Sequence, residues 1–63
     1  MLVVYIEAWL GIAGGRRFPW SVWNDGERLE MGGPYDRPED AEDDAVRYCR
    51  DTLGRAPDRI LRL

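Results

Sequence analysis

The sequence predicts a small α+β domain of order β-β-β-α-β, a mostly antiparallel sheet with one helix packed on one of its faces. Three observations predict it: a β-branched and aromatic N-terminal run, an Asp-Gly pair between two alternating segments, and an acid-led segment whose apolar residues return every three or four positions. Sixty-three residues make one domain, residues 1–63, at a size where a single core supplies roughly 3–5 kcal/mol of net stability.

Residues 2–9, Leu-Val-Val-Tyr-Ile-Glu-Ala-Trp, are apolar at nearly every position, which predicts a strand buried on both faces and central in the sheet. A loop over 11–17 follows, and alternation resumes at Phe18. Asp25-Gly26 is a two-residue hairpin signal. In that register Asn24 pairs with Glu27, Trp23 with Arg28, Val22 with Leu29, Ser21 with Glu30 and Trp20 with Met31. Trp20, Val22, Leu29 and Met31 then share one face, and Trp23 lies on the more polar one against the Arg28 guanidinium.

Gly32-Gly33-Pro34 is expected to end the third strand. Asp36 and Glu39 have capping-box spacing around Pro38, so a helix over about 37–53 is predicted, with Asp36 as N-cap. Its apolar face is Ala41, Ala45, Tyr48, Cys49, Thr52 and Leu53, and Gly54 and Pro57 stop it. Residues 59–63 form a last strand at a sheet edge. With the helix as a right-handed crossover, that strand runs parallel to the first and pairs beside it, giving the sheet order 3-2-1-4.

Composition narrows function by subtraction. One cysteine and no histidine leave no internal disulfide and no plausible zinc ligand set, and the lone thiol is consistent with a reducing cytoplasm. No stretch has the pattern of a signal peptide or the length of a membrane span. Without histidine or lysine, acid–base chemistry has few carriers, and Cys49 falls on the apolar helix face with no activating base, so no enzyme is expected. The carboxylates of 40–44 lack the alternating ligands and central glycine of a calcium loop, and Gly11 to Gly15 lacks a phosphate-cradle pattern; no metal or cofactor is expected. Trp9, Phe18, Trp20 and Trp23 could in principle stack bases, but a pI near 4.7 argues against direct nucleic-acid binding.

Charge is the most informative functional feature. Nine of the twelve carboxylates lie in residues 25–44, against only Arg28 and Arg37, a local net charge of −7. Such a field attracts basic surfaces and repels nucleic acid. The candidate partner-binding residues are Asp36, Glu39, Asp40, Glu42, Asp43 and Asp44 on the helix, Glu27 and Glu30 on the hairpin, and Trp23 as a half-exposed anchor or dimer contact. A bland reading stands beside this one, because carboxylates in a first helical turn complement the macrodipole. Asp44 lies beyond that range, four residues after Asp40, so its charge is expected to bring no local benefit. Arg47 is expected to pair with Asp43 and Asp51.

The hairpin with Trp20, Trp23 and Asp25-Gly26, followed by Gly33-Pro34 and the helix start through Ala41, resembles small uncharacterised bacterial domains that combine a hairpin with an alanine-spaced helix. That resemblance implies the fold. By its length and the acids Glu39, Asp40, Glu42, Asp43 and Asp44, the chain is also similar to the phage-encoded anti-CRISPR proteins, especially inhibitors of type I systems that mimic DNA. This second resemblance implies an acidic face that occupies the arginine- and lysine-lined DNA site of a surveillance complex, and the domain itself is expected to be a non-catalytic monomer or weak homodimer. The competing expectation is an antitoxin-like or regulatory protein–protein interaction domain.

Overall fold

A computed structural model describes residues 1–11 and 13–63; the loop expected over 11–17 therefore falls partly outside the described residues, at Ile12. The elements are β1 (Leu2–Ile6), β2 (Trp9–Leu10), β3 (Arg16–Asn24), β4 (Glu27–Tyr35), α1 (Pro38–Tyr48) with a wider π-helical turn at Cys49–Leu53, and β5 (Arg59–Arg62). β1 lies between β3, to which it is antiparallel, and β5, to which it is parallel, while β4 pairs with β3. The four long-range strands thus follow the predicted order. The short β2 was not predicted: Trp9 and Leu10 pair with Arg17 and Arg16, which extends β3 backward into the expected loop.

α1 covers one face of this sheet and leaves the other open. Leu2, Val4 and Ile6 are fully buried beneath it with Trp20 and Val22, against Ala41, Ala45 and Cys49 of the helix. The small helix residues let the two layers approach closely, and each buried aliphatic side chain contributes about 1.5–3 kcal/mol of transfer free energy. Val3 and Tyr5 point the other way and are only half-buried. The expectation of burial on both faces of β1 is therefore corrected: the first strand is central by pairing, but one helix can cover only one side.

At the hairpin, Asp25 (φ 51°) and Gly26 (φ 84°) both take the positive φ that a two-residue type I′ turn requires. Asn24 pairs with Glu27 and Trp23 with Arg28 as predicted. The register then shifts by one, with Val22 opposite Glu30, Ser21 opposite Met31 and Trp20 opposite Gly32, so that Leu29 is the extra residue of a β-bulge. The predicted Val22–Leu29 and Trp20–Met31 pairs do not form, and Leu29 and Met31 are 39% and 48% exposed. The cause is visible at Gly32, where a Cβ would fall 2.5 Å from the Trp20 ring. The bulge brings the residue without a side chain under the indole. A second shift between Phe18 and Trp20 carries β4 through Gly32-Gly33-Pro34 to Tyr35, so these residues bend the strand without ending it.

The predicted capping box is also absent. Arg37, extended at φ −134°, is the N-cap, makes no side-chain cap and precedes Pro38 in the first turn. Asp36 is drawn instead to Arg17 Nε at 3.3 Å, and Glu39 to Arg37 and Arg62. The helical segment ends where predicted, at Gly54, whose left-handed backbone (φ 73°) returns its N–H to the Cys49 carbonyl. Asp58 then anchors the entry to β5: its N–H donates to the Leu2 carbonyl, and its Oδ2 accepts from Leu2 N at 2.7 Å and Arg55 Nη2 at 2.9 Å. Among the described residues no helix is long and apolar enough to cross a membrane.

Candidate interaction surfaces

Because Ala41, Ala45 and Cys49 face the sheet, helical geometry turns Glu39, Asp43, Arg47 and Arg50 outward, with Asp40 beside them. All five are exposed. The acidity is confined to the first half of this stripe and gives way to arginine in the second. Asp40 and Asp43 line an open depression of about 540 Å³ with Tyr35, Arg47 and Arg50. Arg37 reaches both Glu39 (3.5 Å) and Asp40 (3.7 Å). Glu42 leans toward β5, where Arg62 Nε donates to its Oε1 at 2.7 Å, and this contact holds the Arg62 guanidinium above its ordinary pKa. Asp43 makes no ion pair among the described residues; the expected Asp43–Arg47 and Arg47–Asp51 pairs are replaced by Arg47–Asp44 at 3.0 Å and Arg50–Asp51 at 3.6 Å.

Asp44 departs most from expectation. Its side chain is 27% exposed, and the carboxylate takes a 3.0 Å hydrogen bond from Trp20 Nε1 on Oδ2 and another from Arg47 Nη2 at 3.0 Å on Oδ1. Tyr35 is a third donor to the carboxylate, and this hydrogen bond raises the Tyr35 pKa. Burial pushes the Asp44 pKa up, but the donors Tyr35, Trp20 and Arg47 together outweigh it and hold the group below the ordinary aspartate value. The premise that this charge has no local use is corrected. A buried indole N–H needs an acceptor, and Asp44 supplies it. Trp20 also packs against Tyr48, with ring centroids 5.8 Å apart.

The remaining candidates are not all gathered with the helix acids. Glu30 joins Asp44 in a second hollow of about 380 Å³ lined also by Trp20, Arg47, Tyr48 and Asp51, and Arg47 borders both this hollow and the Asp40–Asp43 depression. Glu27 adjoins the hairpin turn. Trp23 is on the helix-free face of the sheet, where it meets Tyr5 edge-on (centroids 6.3 Å, 89° between planes) and donates from Nε1 to Ser21 Oγ at 2.9 Å. Its aromatic partner is Tyr5, where the sequence suggested the Arg28 guanidinium.

Sequence reasoning also passed over Gly32 and Asp58. Gly32 sits one residue from the position that a straight hairpin register places opposite Trp20, and Asp58 follows Pro57 as the last residue before a strand. Cys49 is fully buried, and burial pushes its thiol pKa up, so it is a core side chain and not an activated nucleophile. Among the described residues no group of His, Cys, Asp and Glu could hold a metal ion. The chain matches no family model, no curated protein and no solved structure.

Proposed function

We propose that the chain is a non-catalytic binding domain whose acidic helix start docks on a basic protein surface, most naturally one that otherwise holds nucleic acid. The observation that carries this reading is the ridge of Glu39, Asp40 and Asp43 exposed together on the first turns of α1, with Asp36 exposed just before its N-cap and Asp43 unpaired among the described residues. A carboxylate without an internal cation is available to an external one at little cost to folding. Asp44 and Glu42 support the ridge from within, through Trp20 and Arg62, and Glu27 and Glu30 lie outside it. The interface is thus narrower than the acid count suggests, and the Arg47–Arg50 end gives it a direction. The narrower identity, an anti-CRISPR inhibitor that displaces DNA from a type I surveillance complex, rests on the resemblance in length and acid placement.

The test is competition between this domain and target duplex for a guide-loaded type I complex, at rising salt. Charge mimicry requires that affinity falls steeply with ionic strength and that Asp43→Arg weakens it at unchanged thermal stability. Affinity that ignores both salt and Asp43 would favour an antitoxin-like or regulatory module. The half-exposed Tyr5 and Trp23 on the helix-free face are the observation that supports that second reading.

A further inference from the structure

We infer that the helix-free face of the sheet is a platform for a short stretch of single-stranded nucleic acid, a function independent of the acidic helix. The pairing register builds this face as two rows across four strands. One row is Arg28 on β4, Trp23 on β3, Val3 on β1 and Arg59 on β5. The next is Met31, Ser21, Tyr5 and Leu61. Aromatic rings therefore stand on the two central strands and guanidinium groups on the two outer ones. At about 4.8 Å per strand the Arg28 and Arg59 backbones are about 14 Å apart, with the rings between them. A shallow concavity of about 480 Å³, lined by Tyr5, Glu7, Ser21, Trp23, Gly26 and Leu63, lies on the same side.

Charge selects the occupant. Six of the nine arginines pair with carboxylates: Arg17, Arg37, Arg47, Arg50, Arg55 and Arg62. Arg28 and Arg59 make no ion pair among the described residues, and both belong to this face. The acidic average of the whole chain therefore misdescribes it locally, since among the described residues Glu7 is the one side-chain carboxylate lining this concavity. Cations flanking half-exposed aromatics are an arrangement that holds a single strand, with bases on the open ring faces and phosphates on the arginines. An acidic peptide would satisfy the arginines but leave Trp23 and Tyr5 without planar partners, and a second copy laid face to face would bring like charges together at its edges.

Fluorescence anisotropy of a labelled thymidine octamer with the full chain tests the inference. Two phosphate contacts predict a slope of log K against log salt of about −1.4, falling to about −0.7 in Arg59→Gln. Trp23→Ala should weaken binding roughly 5- to 150-fold, with Trp23→Phe restoring most of it. Arg59 is exposed at an edge, so its variant remains informative if Trp23→Ala fails to fold. Absence of binding, a slope unchanged in Arg59→Gln, or equal binding of a glutamate octamer would each overturn the platform, the last in favour of an acidic protein partner. Asp43→Arg retains every residue of this face, so the two functional readings can fail separately.

Discussion

Replacing Asp44 separates structure from charge mimicry more sharply than any other change. In Asp44→Ala the nearly buried Trp20 loses its acceptor, and a hydrogen bond to a charged group contributes about 1.5–3 kcal/mol. The half-exposed Arg47 pair adds about 0.2–1 kcal/mol. A loss of about 2–4 kcal/mol is a large part of the roughly 3–5 kcal/mol available to a domain this small. At about 4–8 °C per kcal/mol, Tm should drop by about 10–30 °C. Asp44→Asn keeps a carbonyl for Trp20 and should lose about half as much. Asp44→Lys, which the sequence alone suggests would be neutral or stabilising, should be at least as damaging as alanine, because an ammonium would face both the indole N–H and Arg47. The pH dependence has a definite sign. The folded pKa of Asp44 lies below its ordinary 3.8, so its contribution is complete above that pH and disappears as pH falls through the folded value. Tyr35 is raised above 10.0, so its contribution is present below that pH and lost as pH rises through the folded value. Thermal denaturation across pH checks all three variants. An Asp44→Lys protein as stable as the parent would refute the role assigned to the Trp20–Asp44 bond.

Gly32→Ala should destabilise by about 1–3 kcal/mol by overpacking, since the new methyl would meet the Trp20 ring; an unchanged Tm and Trp20 environment would contradict the reason given for the bulge. Cys49 should react with a thiol reagent only as fast as the chain opens, and labelling at the rate of a free thiol under native conditions would place it outside the core.

The backbone plan was legible because its signals are local and agree: Asp25-Gly26 fixes the turn, Gly54 stops the helical segment, and the β-branched run of Leu2 to Ile6 makes the central strand. Pairing order followed from handedness. The face of each β4 residue was not legible, because one inserted residue reverses the alternation, and what forces the insertion is the volume of Trp20 on another strand. Asp44 was misread for a related reason. Positions 41, 44, 45 and 48 are i, i+3, i+4 and i+7, so Asp44 occupies the flank of the core stripe; considering only its distance from Asp40 concealed that a tryptophan packed there needs an acceptor. Glu39, Asp40 and Asp43 were legible as helical and exposed; Asp36 was not, since it falls before the N-cap, and the pairing of Asp36, Glu39 and Asp40 with Arg17, Arg37 and Arg62 depends on tertiary placement.

The parallel pairing of β1 with β5 joins the earliest strand in the chain to the latest. During synthesis β3 can zip onto one side of Leu2–Ile6 as soon as the hairpin emerges, yet the other side has no complement until Arg59–Arg62 has been made. For that interval a hydrophobic strand carries an open row of amide and carbonyl groups, the kind of template on which neighbouring chains assemble. A nascent chain stalled or cut short before Arg59 should therefore aggregate through Val3 to Ile6, which makes the synthesis of Arg59–Arg62 the point at which this strand stops being a template.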